Sequence, residues 1–179
     1  MSAAMTESMI VIETPRLRLR TATLDDAPFY LALVNEPAFI DAIGDRGIRT
    51  VTAARRAIVD GPMAMQRSLG HSLCLVERKH DGAPIGMCGL IKRDTLPHVD
   101  IGYAILAQYA GQGYATEAAA GVLAHAASLG MERVLAITSP GNAGSNAVLR
   151  RIGMRFEKTV HLAQGDPGTL LYSYECPAP

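Results

Sequence analysis

The chain has 179 residues, 49% hydrophobic and 19% charged, a balance that supports a sizeable core and excludes a disordered chain. Lys plus Arg number 17 and Asp plus Glu number 17, so no net field gathers nucleic acid or an anionic membrane, and an anionic ligand must be held locally. The apolar stretch Ala118 to Met131 is interrupted by Gly121, His125, Ser128 and Gly130 and is shorter than the roughly 20 residues that span a bilayer.

Met1 to Met9 carry neither a basic segment nor an apolar run of signal-peptide length, so a cytoplasmic location is expected. Residues 1–11 read as a flexible tail before a single domain over 12–179. Cys74, Cys88 and Cys176 are odd in number, widely spaced and set among apolar residues. They read as reduced, mostly buried thiols, with no metal-ligand spacing.

In chain order, Arg16-Leu17-Arg18-Leu19-Arg20 alternates with the period of a half-buried strand and would set three arginines on one solvated face. Thr23 to Asp26 offers a cap for a helix from about Ala27 to Glu36, stopped by Pro37. Thr50 or Thr52 caps a second helix, about Ala53 to Gln66. Apolar strands at Ser72 to Glu77 and Pro84 to Lys92 flank Lys79-His80-Asp81-Gly82, whose Asp-Gly pair is a hairpin signal. A strand from His98 to Leu106 completes an antiparallel meander. The period then changes: Ala115, Ala118, Ala119, Val122, Leu123 and Ala126 form one helical stripe, which Gly130 ends. Arg133 to Thr138 is a short β-branched strand, Ser145 to Ile152 a helix, and Met154 to His161 with Thr169 to Glu175 the last strands. About seven strands and four helices make a mixed α/β sheet of the α+β kind. The exposed edge at the last two strands suits a homodimer.

The informative segment is Gln108-Tyr109-Ala110-Gly111-Gln112-Gly113-Tyr114-Ala115-Thr116-Glu117, between a strand and the amphipathic helix. A helix start leaves about four N–H groups unpaired and carries partial positive charge, and glycines let the backbone approach phosphate oxygens closely. Such a site needs no basic side chain. A Walker loop would need Gly-Lys followed by Ser or Thr, and a Rossmann fingerprint a third glycine in a parallel βαβ unit; neither fits.

Gln108, Gly111 and Gly113 match the pattern Gln/Arg-x-x-Gly-x-Gly/Ala. Three further blocks stand in order around it: Pro15-Arg16-Leu17-x-Leu19-Arg20, Asp100-Ile101-Gly102-Tyr103, and Asn142-x-x-Ser145-Asn146-x-Val148-Leu149-x-x-Ile152-Gly153-Met154. Over about Ile12 to Glu175 the chain resembles the GNAT superfamily of acetyl-CoA-dependent N-acetyltransferases. Within it, the likeness is to the branch of ribosomal-protein N-terminal (alanine) acetyltransferases, RimJ/RimL-like.

The resemblance implies a GNAT fold, with a mostly antiparallel sheet splayed at the CoA site, acetyl-CoA as co-substrate and no metal. By the same resemblance the amides of Gly111, Gln112, Gly113, Tyr114 and Ala115, with the Thr116 hydroxyl, hold the CoA pyrophosphate. The strand edge at Ala104, Ile105 and Leu106 would pair with pantetheine as an added strand. Asn142 would bond the pantetheine amide, or serve only as a helix-turn residue, and Arg150 or Arg151 would reach the 3′-phosphate or be simply solvated.

The implied reaction is attack of a neutral amine on a thioester, which needs a base, an oxyanion donor and a tolerated leaving thiolate. At pH 7 the neutral form of a lysine costs about 4.6 kcal/mol and that of an α-amine about 1.1. Asp100 aligns with the family's catalytic Glu, as base or as a positioning charge, and the Ala104 N–H is the implied oxyanion donor. Leu149 stands where many members carry a general-acid tyrosine. Ser145 would bond the thiolate instead, or cap its helix.

Of the histidines, His125 reads as a surface or boundary residue of its helix, His71, His98 and His161 carry no metal-like spacing, and of these only His98, sharing a strand face with Asp100, suits a substrate-side base. Glu117 answers the helix dipole, and Phe29, Tyr30 and Phe39 would wall an acceptor pocket or pack in the core. The expected function is direct acetyl transfer to a protein N-terminal α-amine or a small-molecule amine, with no covalent acetyl-cysteine. A non-catalytic acyl-CoA-binding sensor of the same fold is the other reading.

Overall fold

The computed structural model describes residues 7–178. Its eight strands are β1 (Ile10–Glu13), β2 (Leu17–Thr21), β3 (Leu73–Arg78), β4 (Pro84–Ile91), β5 (Asp100–Ile105), β6 (Arg133–Thr138), β7 (Arg155–Val160) and β8 (Thr169–Glu175). They form one sheet in the order β1-β2-β3-β4-β5-β6-β8-β7. Neighbours from β1 to β5 run antiparallel, and β5 and β6 make the one parallel pair. A parallel neighbour requires a crossover, here supplied by helix α5 (Tyr114–Ser128).

The remaining helices are α1 (Ala27–Val34), α2 (Pro37–Ile43), α3 (Val51–Ile58), α4 (Ala64–Leu69) and α6 (Ala143–Arg151). Expectation and structure differ in the following elements. The eighth strand, β1, begins at Ile10, inside the stretch expected to be tail; the turn in which the Thr14 N–H bonds the Leu17 carbonyl folds it onto β2, while residues 1–6 of that tail lie outside the described residues. Pro37 does not only stop a helix. With Glu36 extended before it, Pro37 opens α2, where a missing N–H costs nothing. The second predicted helix runs from Val51 to Leu69 as α3, a π turn over Val59–Met63 holding Pro62, and α4. Thr50, not Thr52, caps it, accepting from the Ala53 N–H at 3.1 Å.

The sheet buries both faces. On one, Leu17, Leu19, Val76, Cys88 and Ile101 meet the predicted α5 stripe of Ala118, Ala119, Val122, Leu123 and Ala126. On the other, Met87, Ala104 and Leu106 meet Ala27, Leu33, Ala54 and Ile58 from α1 and α3. Arginine 20 does not share a solvated face with Arg16 and Arg18. It is withdrawn into a bidentate pair with Asp26, at 2.8 and 2.9 Å, and a bond to Glu77 at 2.7 Å. Cys74 and Cys88 are buried free thiols, and burial raises both pKa values, that of Cys74 to about 12. Strand β7 is the sheet's exposed edge.

Strand β4 approaches β5 so closely that a Cβ at Gly86 would lie 2.2 Å from the Ala104 carbonyl oxygen. The obstacle is backbone, which cannot swing aside. Gly86→Ala is therefore expected to destabilise the protein by about 1–3 kcal/mol in denaturant unfolding and to disturb β5 beside the site described next.

Candidate active site

Strand β5 shares six register pairs with β4 but a single one, Asp100↔Leu135, with β6. Beyond Asp100 the two strands part. The Leu106 N–H donates to the Ile85 carbonyl at 2.8 Å on the β4 side, and the Leu135 N–H donates to the Val99 carbonyl at 2.9 Å on the β6 side. Because the β4–β5 register runs unbroken, alternation turns the polar groups of Ala104 and Leu106 toward β4 and those of Tyr103 and Ile105 into the split. This corrects the expected edge by one residue: Ala104 and Leu106 are committed to the sheet, and of the three residues named only Ile105 presents open main-chain groups. No side chain marks this, since it follows from strand pairing.

At the wide end of the split, Gly111 (φ 73°) and Gly113 (φ 81°) adopt left-handed conformations that L side chains rarely reach. Gly111, Gln112 and Gly113 are exposed, and the first helical bond of α5 is Glu117 N–H to the Gly113 carbonyl at 3.0 Å, which leaves the preceding amides without helical partners. The helix mouth is open. Arg16 borders it: its Nε lies 2.6 Å from Glu117 Oε2, its Nη1 bonds the Gln112 carbonyl at 3.0 Å, and its guanidinium stacks 4.5 Å from the Tyr114 ring. Glu117 Oε1 also accepts from the Thr14 hydroxyl at 2.6 Å and the Arg16 N–H at 2.8 Å. Glu117 is thus a lock between the β1–β2 turn and the glycine loop, more than an answer to the dipole. Arg78 stacks on Tyr109 at 4.6 Å, and Glu36 accepts from the Ala107 N–H at 3.0 Å. These anchors were missed because each joins segments far apart in sequence.

Helix α6 opens at the split. Asn142 caps it, its Oδ1 accepting from the Ser145 N–H at 3.0 Å, so the helix-turn reading of Asn142 holds and Ser145 is not the cap. Asn146, buried, bonds the Ser139 and Asn142 carbonyls through Nδ2 and accepts from the Tyr172 hydroxyl at 2.6 Å, which bolts α6 to β8. The Ser145 Oγ then faces the Tyr103 hydroxyl at 2.8 Å, a pairing not foreseen. The alternation of β5 signalled it weakly, by placing Tyr103 on the face opposite Asp100.

Other expected residues lie apart from this pair. Leu149 is 1% exposed and part of the core, so its position offers no group to the split. Arg150 and Arg151 are exposed in the last turn of α6, at the end away from Ser145. His98 is exposed beside Lys92, Pro97 and Glu132, at the end of β5 opposite the glycine loop. His71 and His125 border a small cavity under α5, where burial and the neighbouring His71 lower the His125 pKa. Phe29, Tyr30 and Phe39 are half-buried beside Ala104 and Leu106.

A family model described as "Acetyltransferase (GNAT) domain" matches residues 16–155. The chain belongs to the GNAT acetyltransferase family. Among curated proteins it is similar to YkkB of Bacillus subtilis (strain 168), uncharacterized, at 29% identity over 151 residues, 82% of this chain and 86% of that one. Among solved structures the acetyltransferase from Agrobacterium tumefaciens str. C58 shares the fold at TM-score 0.78 and 24% identity, over 98% of this chain and 99% of that one. RimL, the ribosomal L7/L12 alpha-N-protein acetyltransferase, solved with coenzyme A, shares it at TM-score 0.82 and 21% identity, over 96% and 100%. In this GNAT chain the match takes in the split strands and the glycine loop.

Asp100 sits where β5 and β6 meet, its side chain 1% exposed and both carboxylate oxygens 3.0 Å from Arg93 Nε. Burial raises its pKa to about 6, against the opposing charge of Arg93. An unfolded Asp titrates near 3.9, so between about pH 4 and 6 the folded state holds the extra proton, and stability falls as pH rises through that window. Denaturant unfolding across pH 4–7 is expected to show wild type losing on the order of 2 kcal/mol relative to Asp100→Asn, which has no carboxyl to ionise.

Proposed function

We propose that the protein is an N-acetyltransferase that moves acetyl from acetyl-CoA directly to a primary amine, with a protein N-terminal α-amine favoured over a small-molecule amine. The observation that carries the reading is the single β5–β6 pair, which leaves a split beside the unpaired amides of the α5 mouth. An anionic diphosphate fits those amides in a protein with no net charge, and a narrow amide-bearing arm fits a strand edge with open main-chain groups.

When bound, acetyl-CoA supplies a thioester whose carbonyl carbon is the electrophile. Gly111, Gln112, Gly113, Tyr114 and Ala115 present main-chain donors to the diphosphate, with Thr116 beside them. Ile105 and Tyr103 offer the main-chain N–H groups for the arm and the oxyanion, in place of Ala104. Asn142 spends its Oδ1 on the helix cap and keeps Nδ2 for the pantetheine carbonyl. Ser145 places a hydroxyl at the split for the leaving sulfur. The product is an amide and a free thiol.

Asp100 shapes the choice of amine. A carboxylate of pKa about 6 is a better base than an ordinary Asp. Taking a proton from an α-ammonium near 7.8 costs about 2.5 kcal/mol, and from a lysine near 10.4 about 6 kcal/mol. The weak base therefore favours the α-amine. RimL, described as an α-N-protein acetyltransferase, points the same way. The burial of Asp100 and its two bonds to Arg93 favour the second reading, an acyl-CoA sensor without turnover.

Amine-dependent thiol release separates the two. With acetyl-CoA and a panel of α-amino peptides, lysine peptides with blocked N-termini and polyamines, wild type is expected to turn over fastest on α-amines, and Asp100→Ala to lose about 100-fold or more in kcat. CoA binding with no amine-dependent release would establish the sensor instead. Gly113→Ala, strained at φ 81° and bringing a methyl to the helix mouth, is expected to weaken CoA binding at least tenfold by calorimetry.

A further inference from the structure

The Tyr103 hydroxyl lies 2.8 Å from Ser145 Oγ and 3.2 Å from the Ser145 carbonyl oxygen. These bonds join β5 to the first turn of α6, the helix that follows β6, 42 residues apart in sequence. A phenylalanine would fill the same half-buried space against the core, so the hydroxyl is what the pairing uses. We propose that Tyr103 is a positioning residue that turns the Ser145 hydroxyl proton toward the CoA sulfur; the assignment rests on the reading that the split holds the CoA arm.

The argument is one of hydrogen-bond accounting. A phenol has one proton to donate, and here two acceptors on the same residue compete for it. When Tyr103 donates to the Ser145 carbonyl, the Ser145 hydroxyl is free to donate to the phenol oxygen. When Tyr103 donates to Ser145 Oγ, the serine proton has to point elsewhere, and the remaining direction is the split. The exchange leaves neither hydroxyl without a partner once an acceptor is present, so little free energy opposes it. Ser145 itself cannot drift: its N–H is held by Asn142, and the next residue, Asn146, is buried and bonded to Ser139, Asn142 and Tyr172.

Donation, and not proton transfer, is the role the acidities allow. A thiol titrates near 8.5, below any phenol or alcohol, so neither hydroxyl gives up its proton to the sulfur. As the amine nitrogen bonds to carbon the C–S bond breaks, the electron pair stays on sulfur, and the Ser145 O–H bond to that sulfur holds the charge. The proton lost by the amine goes to the base. Burial raises the Tyr103 phenol to about 12, so it remains a donor across the working range. Because Leu149 is buried in the core, that position supplies no competing donor.

The test uses the full chain with CoA and follows the thiol of bound CoA by its ultraviolet thiolate absorbance against pH, in wild type, Tyr103→Phe, Ser145→Ala and the double variant. Cys74, held at about 12, and Cys88, raised further, both by burial, stay silent below pH 10, and each variant without CoA supplies the blank. Wild type is expected to lower the bound thiol's pKa below about 8.5. Each single variant should reverse most of that shift, and the double variant no more than either. In turnover, Tyr103→Phe should lower kcat about tenfold with KM for acetyl-CoA within twofold, and should have no effect in the Ser145→Ala background. Additive losses, or a bound thiol that titrates alike in wild type and Ser145→Ala, would overturn the assignment. Should Tyr103→Phe fail to fold, 3-fluorotyrosine at position 103 decides: a stronger donor lowers the bound thiol's pKa further, and an unchanged value overturns the role. Wild type that does not bind CoA overturns the proposed function itself, whereas binding with an unshifted thiol overturns only the role of Tyr103 and Ser145.

Discussion

Everything at the site depends on β5 being hydrogen-bonded along one edge and almost bare along the other. Its pairing with β4 is continuous, while its pairing with β6 stops at Asp100 and Leu135. Buried main-chain groups are costly to leave unpaired, so a gap of this kind persists only where something polar can enter it. Strand β6 is held along its other edge, where all six of its residues are in register with β8, so beyond Leu135 its edge toward β5 is open as well. The hydrogen bonds from Tyr103 to Ser145 tie β5 to α6, the helix that follows β6.

Around this opening the electrostatics are local. With 17 positive and 17 negative side chains the protein offers no long-range attraction, and the arginines nearest the glycine loop are already neutralised, Arg16 by Glu117 and Arg78 by Asp81. What remains for an anion is the set of backbone dipoles at the α5 mouth, fixed in place by Arg16 gripping the Gln112 carbonyl and by Tyr114 packing into the core. The Arg16–Glu117 pair orients the loop and leaves its main-chain amides facing outward. Asp100 follows the opposite logic. Burial in the narrow end of the split raises its pKa to about 6, and Arg93 restrains that rise.

Local patterns were legible where the chemistry is local. The α5 stripe, the glycine pair before it and the Asp-Gly turn each depend on neighbours within one helical turn or one hairpin, and each appears as read, save that Tyr114 and not Ala115 begins the buried stripe. The four motif blocks reached further, because a family keeps spacing as well as residue type. They singled out Asp100, Ser145 and Asn142, but not the partners that the structure gives them. Ser145 was open between capping and bonding sulfur until Asn142 took the cap. Arg16 read as one of three solvated side chains, because nothing in its own segment reveals a Glu117 lying 101 residues away.

The sequence by itself determined the fold class, the family and the glycine loop that opens α5, since periodicity, turn chemistry and motif spacing are properties of short segments. Only the tertiary structure decided which main-chain groups of β5 are open, because shifting a strand's pairing by one residue exchanges its bonded and free edges without changing a letter of the sequence. It likewise decided that Leu149 belongs to the core and that Tyr103 meets Ser145. Those outcomes depend on how β5, α6 and β8 are brought together, and no residue in any one of them specifies the distance to the others.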